Sequence, residues 1–311
     1  MKTTHRISIG LVALSLAFAF TAPPARAQIY VSAGNGTTDT VGKYNPDGSP
    51  VNTALITLGV AIPGKMTLSG GSLFVGNSNN IGKFDAVTGA GNASFITTAN
   101  GASGLAASGT NLLAGVTTGP STVVAEYDTT TGNLLNGSFI TPSGFGFSIG
   151  LLVSGGNVLV SFGQTIGKYN AVTGAVVNAL FITTTDPVSF GSLAVFGGHL
   201  FVLDGGNGVR EYDATTGSLL NGSFIAGLLQ PASDIAISGG NLLVATGNGI
   251  SSAFVSEYDA TSGALVNQTF ITPSQGVRGL AVVPEPTTLA LAAIGALALL
   301  GRNRFFRFFS G

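Results

Sequence analysis

The chain has 311 residues, of which 45 % are hydrophobic and only 8 % are charged, and its formal net charge is −1. It contains no cysteine, which excludes disulfides, thiolate metal sites and cysteine nucleophiles. Residues 28–283 hold six basic and twelve acidic residues and no basic run, so we expect no nucleic-acid binding. The 47 glycines within so apolar a chain predict many short strands joined by tight turns rather than disorder.

Residues 1–27 predict a cleaved signal peptide. Lys2 and Arg6 supply a basic start, residues 7–21 are almost unbroken apolar sequence, and Ala25-Arg26-Ala27 is a small-x-small cleavage signal. The apolar run is short for ~30 Å of hydrocarbon, which favours a signal peptide over a permanent N-terminal anchor. We therefore expect a protein that is exported across the inner membrane.

The mature part, residues 28–283, is built from one repeated unit. A clear copy is EYDATTG at residues 211–217, followed by LLNGSFI at residues 219–225. Its aromatic residue recurs at Tyr44, Phe84, Tyr127, Tyr169, Tyr212 and Tyr258. Six copies at nearly constant spacing predict a repeat architecture.

Each repeat predicts four short strands. In the copy that begins at Ser233, the strands are residues 235–237, 241–245, 253–258 and 264–271. The turn at residues 259–263 starts with an aspartate that can accept backbone N–H bonds and ends with a glycine. Four antiparallel strands per ~42 residues are typical of a β-propeller blade. A β-sandwich is the alternative fold, but it gives no reason for six copies.

Two incomplete ends predict how the ring closes. Residues 279–283 form a first strand with no successor, and residues 29–32 form a second strand with no predecessor. If they pair, one C-terminal strand and three N-terminal strands complete a blade and remove the open edges. We therefore predict an all-β fold, a six-bladed propeller over residues 28–283.

The strand sequences carry a resemblance to known propeller repeats. The Gly-Leu-Ala-Val, Asn-Leu-Leu-Val and Val-x-Glu-Tyr-Asp strands of residues 29–283 resemble NHL-type and YVTN-type repeats. The Asp-x-x-Thr-Gly turn is also similar to that of quinoprotein propellers, but their docking tryptophan is missing because the chain has no tryptophan. The resemblance implies the fold and says little about function.

Residues 284–311 predict a second exported-protein signal. Pro284-Glu285-Pro286 is followed by an uncharged Ala/Leu-rich run that ends at Gly301, and then by Arg302, Arg304 and Arg307. This order predicts a single transmembrane helix with its arginines on the cytoplasmic side, although a buried core helix is the plainer alternative. It resembles the PEP-CTERM sorting signal of Gram-negative bacteria. The resemblance implies recognition of Pro284, Glu285 and Pro286 by an exosortase, and transient membrane anchoring.

Residues that recur in every repeat are most simply architectural. On that basis the acidic residues of the turns between third and fourth strands receive structural roles: Asp47, Asp85, Asp128, Asp213 and Asp259, with Asn170 in the remaining copy. At the Asn-x-Ser/Thr sequons of Asn92, Asn136, Asn221 and Asn267, a turn role is favoured over glycosylation, and a strand position occupied by lysine or glutamate is also interpreted as structural. We expect this strand position to be a solvated face. His199 replaces a recurrent Asn or Ser and is interpreted as a polar turn residue rather than a catalytic base.

The remaining acids are Asp39, Asp186, Asp204 and Asp234, which do not form a convergent catalytic or metal-binding motif. We therefore predict no catalytic residue, no metal and no cofactor. Variable loops should gather on one end of the ring, where binding residues concentrate. The candidate binding residues there are Asn79, Asn80, Asp186, Asp204, Asn207, Asp234 and Asn248.

Two functions from different classes remain open. The first is a non-enzymatic protein of the cell surface or extracellular matrix that binds or scaffolds polysaccharide or protein, or only fills the envelope. The second is an NHL-like hydrolase or lyase acting on an extracellular substrate. Convergence of Asp186, Asp204 and Asp234 on the central channel would favour the second.

Overall fold

A computed structural model describes residues 27–35, 37–59, 63–118, 121–142, 149–184, 188–204, 208–247 and 253–283. Arg26–Glu285 form one compact unit. The predicted signal peptide up to Arg26 and the whole of residues 284–311 lie outside the described residues. All regular secondary structure in the described ranges is β-strand.

The strands form six antiparallel four-stranded sheets, which we number as blades in chain order. Blade 1 contains β24 (Val277–Val283), β1 (Gln28–Ala33), β2 (Asp39–Tyr44) and β3 (Pro50–Gly59). Blade 2 contains β4 (Pro63–Ser69), β5 (Ser72–Asn77), β6 (Asn80–Asp85) and β7 (Gly91–Thr97). Blade 3 contains β8 (Ala102–Ser108), β9 (Asn111–Thr118), β10 (Ser121–Asp128) and β11 (Leu134–Ile140).

The other three blades repeat the same order from the innermost to the outermost strand. Blade 4 contains β12 (Ile149–Ser154), β13 (Asn157–Phe162), β14 (Thr165–Asn170) and β15 (Val176–Thr183). Blade 5 contains β16 (Val188–Phe196), β17 (His199–Asp204), β18 (Gly208–Asp213) and β19 (Leu219–Ile225). Blade 6 contains β20 (Ala232–Ser238), β21 (Asn241–Thr246), β22 (Phe254–Asp259) and β23 (Leu265–Ile271).

The two orphan strands of the sequence pair as predicted. β24 lies antiparallel to β1, with Ile29 opposite Val282 and Val31 opposite Leu280. The innermost strands of neighbouring blades contact one another all the way round. Every sheet is therefore completed within residues 28–283, and the six-bladed prediction is confirmed.

The apolar core lies between blades. Six buried clusters are found among the described residues, and each spans one junction between neighbouring blades. At the junction of blades 2 and 3, for example, Phe74 and Ile81 pack with Leu105 and Leu112. Since each blade buries both faces against its neighbours, the packing that stabilises the fold also fixes the ends of the strands.

Candidate functional site

Backbone hydrogen bonds define the two ends of the ring. On one end, which we call the turn face, the hairpin between the first and second strands contacts the turn between the third and fourth. The amides of Ala171 and Ala214, for example, donate to the carbonyls of Gly156 and Gly198. The turn face therefore consists of the short, regular turns of the repeat.

The opposite end, which we call the loop face, carries the variable segments. Here a loop between second and third strands meets a loop between blades, and Thr98 N–H donates to Asn79 O at 2.8 Å while Gly34 N–H donates to Gly276 O at 2.9 Å. The sequence-based assignment of variable loops to one end is therefore correct for the described loops.

The six innermost strands surround a central channel. They line a cavity of about 340 Å³ whose walls are mostly aliphatic, with Leu105, Leu152, Ala194 and Ile237 among the lining residues. Of the described residues in this lining, Asp234 is the only acid and Lys65 is the only base. Both lie near the start of an innermost strand, and therefore at the loop-face mouth of the channel.

Lys65, Ser192 and Asp234 form one buried polar cluster, the channel cluster. Lys65 Nζ lies 2.7 Å from Asp234 Oδ1, 3.0 Å from Ser192 Oγ and 3.0 Å from the carbonyl oxygen of Ser233. Ser192 Oγ also donates to Asp234 Oδ1. Asp234 further accepts the N–H groups of Ile235 at 3.1 Å and Leu280 at 2.8 Å. The cluster thus links blades 1, 2, 5 and 6.

The repeat explains why these residues meet. The position that holds Lys65 in blade 2 is occupied in the other first strands by Gly104, Gly150, Ser192, Asp234 and Gly279. β4 and β16 are opposite each other in a ring of six, so the Lys65 side chain crosses the channel to reach Ser192. It passes blade 1, where Gly279 has no room for a side chain because a Cβ there would lie 2.6 Å from Gly64 O.

The hydrogen-bond inventory shows what the channel cluster can do chemically. A contact between a serine hydroxyl and a lysine is the geometry of a nucleophile and its base. Here, however, the ammonium of Lys65 has all three donors engaged, and Asp234 accepts four hydrogen bonds. An ammonium in that state cannot take the Ser192 proton. The cluster lies at the loop-face mouth of the channel and links the blades.

The described candidate binding residues lie in separate places. Asp204, at the end of β17, accepts a hydrogen bond from Arg210 Nε at 2.6 Å. Asn79 is exposed on the loop face, and half-buried Asn80 accepts a hydrogen bond from the Thr97 hydroxyl at 3.2 Å. Asp204 and Asp234 thus each have their own cation. Asp186, Asn207 and Asn248 lie outside the described residues, as do Pro284, Glu285, Pro286, Arg302, Arg304 and Arg307.

The expectation of a solvated face at the lysine/glutamate position was wrong. Lys43 and Glu211 are only 9 % exposed. Lys43, Lys83 and Lys168 donate to backbone carbonyl oxygens in the turn of the next blade, at 3.2, 2.7 and 3.4 Å, and lie over aromatic rings. The neighbouring blade covers this position, so the charges serve the junctions between blades.

The glutamates at the same position bind within their own blade. Glu126 and Glu257 accept Nδ2–H bonds from Asn111 and Asn241 at 2.7 Å. His199 occupies the equivalent place in blade 5, and its Nδ1 lies 2.7 Å from Glu211 Oε1. His199 is therefore the first residue of β17 and makes the contact with glutamate that asparagine makes in blades 3 and 6.

The aspartates of the turn face are structural. We call Asp85, Asp128, Asp213 and Asp259 the turn aspartates. Each accepts backbone N–H groups two and three residues further on, and Asn170 does the same in blade 4. These bonds lower the pKa of each carboxyl group; hydroxyl bonds from Thr261 and Ser262, with their amides, lower the pKa of Asp259 to about 2.

Lys65 is the residue that sequence reasoning missed, since it was counted only among the bases. The signal is visible when the six first strands are aligned, because Lys65 and Asp234 then share one repeat position with opposite charges. Within the described residues, no group of three or more His, Cys, Asp or Glu side chains could hold a metal ion.

The C-terminal residues of the chain match a known protein-family model. Residues 282–304 match the PEP-CTERM protein-sorting motif. The chain carries a PEP-CTERM motif. Because this motif is the recognition signal of an exosortase, the protein is exported and processed at the cell envelope. None of the described segments is a helix long and apolar enough to cross a membrane, and residues 286–301 lie outside them.

Solved structures share the fold of the propeller that precedes this motif. A chain in the crystal structure of a nidogen/laminin complex is 11 % identical, with a TM-score of 0.62, over 82 % of this chain and 98 % of that chain. The computationally designed Ika8 protein is also 11 % identical, with a TM-score of 0.50, over 83 % of this chain and 91 % of that one. At these identities the similarity shows the fold alone. No curated protein sequence matches the chain.

Proposed function

We propose that the propeller is a non-enzymatic binding or scaffolding module that the sorting tail delivers to the cell surface or extracellular matrix. The observation that carries this proposal is the PEP-CTERM motif at residues 282–304. It is attached to a domain in which the described acids and bases of the channel, β17 and β18 are paired within the fold. Before processing, residues 286–301 anchor the chain in the membrane, and Arg302, Arg304 and Arg307 hold that end in the cytoplasm.

The loop face is the proposed binding surface. Its candidate residues are Asn79, Asn80, Asp186, Asp204, Asn207 and Asn248. Asp234, the seventh candidate, lies at the channel mouth and forms an ion pair with Lys65. Exposed amides such as that of Asn79 donate and accept hydrogen bonds without carrying charge, which suits hydroxyl-rich neutral polymers. Neutral exopolysaccharide is therefore the first ligand class to test, and envelope proteins are the second.

Binding is tested with the propeller portion, residues 28–283, which contains every strand of the six sheets. We expect retention on neutral polysaccharide in a glycan array or affinity electrophoresis, and weaker retention after Asn79→Ala. Thr130→Ala, an exposed substitution on the turn face, is the matched control. Equal loss in both variants, or no retention of polysaccharides or envelope proteins, would contradict a loop-face binding role.

Sorting is tested in the organism that makes the protein. Replacing Glu285 with alanine should leave the chain in the membrane fraction at its unprocessed mass, because the exosortase recognition motif is lost. Arg210→Ala, a substitution inside the propeller, is the control: the protein with this substitution should be sorted normally, provided that it folds. Normal processing of the Glu285→Ala protein would contradict recognition through this motif.

A further inference from the structure

The outermost strand of every blade carries one asparagine in the same bonding arrangement. Its side-chain Oδ1 accepts the backbone N–H of the residue two positions on, where the pairing with the third strand shifts register. These asparagines are Asn52, Asn92, Asn136, Asn178, Asn221 and Asn267, with N···O distances of 3.0, 2.9, 3.0, 3.1, 2.9 and 3.1 Å. The structural role expected from the repeat is therefore present in all six blades.

Only four of the six blades add a hydroxyl residue at the second position after the asparagine. Ser94, Ser138, Ser223 and Thr269 hold that position in blades 2, 3, 5 and 6, whereas blades 1 and 4 have Ala54 and Leu180. The local bend forms equally well with alanine or leucine, since the bond uses only the backbone N–H. The hydroxyl is thus not required by the fold.

We propose that Asn92, Asn136, Asn221 and Asn267 are N-glycosylation sites. The bend uses Oδ1 of the asparagine, whereas glycosylation uses Nδ2, so the two roles do not compete. The Oδ1 bond also holds the hydroxyl residue beside the amide, which is the Asn-x-Ser/Thr arrangement that such transfer requires. All four asparagines and their hydroxyl partners are exposed.

The transfer uses a lipid-linked oligosaccharyl pyrophosphate as donor. The Nδ2–C1 bond forms, the C1–O bond to the pyrophosphate breaks, the lipid pyrophosphate leaves, and one amide proton passes to a base of the transferase. Such donors act on chains that have left the cytoplasm, so the inference rests on the export that the sorting motif implies.

The outermost strands of the six blades give a physical reason for glycans at these positions. The six outermost strands contain no Asp, Glu, Lys or Arg, although charges are a usual protection of exposed sheet edges. In blades 3, 4, 5 and 6 the asparagine directly follows two aliphatic side chains that are each more than half exposed, such as Leu134 and Leu135. Blades 3, 5 and 6 also have the hydroxyl residue, whereas blade 4, with Val176 and Val177, does not. A glycan at the next residue would cover both the edge and the apolar pair.

The decisive experiment is peptide mass spectrometry on protein purified from its own host envelope, with the new N-terminus at Gln28 as the independent sign of export. We expect a glycan mass on the peptides of Asn92, Asn136, Asn221 and Asn267. Asn52 and Asn178, which share the bend but lack the hydroxyl, are internal controls and should be unmodified. Exported chains with all four asparagines bare would overturn the proposal and leave the proposed binding function intact.

A variant pair separates modification from structure. Ser138→Ala keeps the Asn136 bend, so it should remove one glycan mass and leave the unfolding midpoint of the deglycosylated protein unchanged. Asn136→Gln should remove the same glycan mass and also lower that midpoint, because the bend is lost. Persistence of the mass in Ser138→Ala would overturn the proposal. So would an unmodified exported protein that assembles through its bare edges in analytical ultracentrifugation. Modified protein retained unprocessed in the membrane would contradict the sorting proposal alone.

Discussion

Replacing Asp234 with alanine should destabilise the propeller strongly, because it leaves the ammonium of Lys65 buried without its counter-ion. The side chains of Lys65 and Asp234 are 15 % and 8 % exposed. The substitution also removes the acceptor of the Ser192 hydroxyl and of Leu280 N–H. Breaking a buried pair on one side costs roughly 3–5 kcal/mol, and the partial exposure of Lys65 places this variant near the lower bound.

For a domain of this size, about 3 kcal/mol corresponds to a fall in Tm of about 6–12 °C. Circular dichroism of residues 28–283 during heating and in urea measures this change. The matched control is Lys65→Met combined with Asp234→Leu, which removes both charges and should recover most of the loss, since an apolar pair of similar volume is tolerated in place of a buried ion pair.

The cycle also includes the Lys65→Met variant alone, which should be milder than Asp234→Ala. The Asp234 carboxylate keeps the N–H groups of Ile235 and Leu280 when Lys65 is lost, whereas Lys65 keeps only Ser192 and a carbonyl when Asp234 is lost. If Asp234→Ala costs less than about 1 kcal/mol, or if the two sites behave additively, the cluster is not the interblade link that we infer.

Three further results are expected. The pKa values of the turn aspartates are lowered in the folded protein, to about 2 for Asp259, so their contribution to stability should be complete above pH ~4 and lost as the pH falls through these lowered pKa values. Replacing all four with asparagine should flatten this dependence in urea titrations at decreasing pH. Gly279→Val should cost about 1–3 kcal/mol in urea unfolding, because its Cβ would lie 2.6 Å from the backbone oxygen of Gly64. Gly222→Val in the outermost strand of blade 5 is the steric control, because the nearest atom to its Cβ would be 3.8 Å away. Burial raises the pKa of Tyr30 to about 12, so its absorbance should change only in strong alkali, and Tyr30→Phe should cost about 1 kcal/mol through loss of the 2.6 Å bond to Ala86 O. The difference between the alkaline titrations of the unmodified protein and Tyr30→Phe assigns the Tyr30 signal; a difference that appears near pH 10, or an unchanged unfolding midpoint in Tyr30→Phe, would contradict this.

The fold could be predicted because its signals are local and recur six times. The turn chemistry of residues 259–263 and the spacing of the aromatic residues each specify one blade without knowledge of the others. Ring closure needed only the inference that residues 29–32 and 279–283 lack partners. These features depend on short stretches of sequence, and the structure confirms them.

The candidate site was harder to predict because its contacts are distant in sequence. Lys65 and Asp234 are separated by 169 residues and meet only after the ring has closed. The burial of Lys43 likewise depends on the turn of the next blade, 43 residues away. The alternating pattern of the strand that contains Lys43 gives no indication of this contact. Alignment of the six repeats by position, rather than by strand pattern, is what reveals such pairs.

The distribution of charge limits what the propeller can recognise. Every basic residue of the described chain has a partner inside the fold: Lys65 in the channel, Arg210 beside Asp204, and the others at the blade junctions or with a partner of their own. Because these basic side chains already have partners in the fold, we expect them to attract an anionic ligand less than free basic side chains would. We therefore expect recognition by the described surface to use mainly amides, hydroxyls and backbone groups, and this is why neutral polymers, rather than acidic ones, are the first probes that we propose.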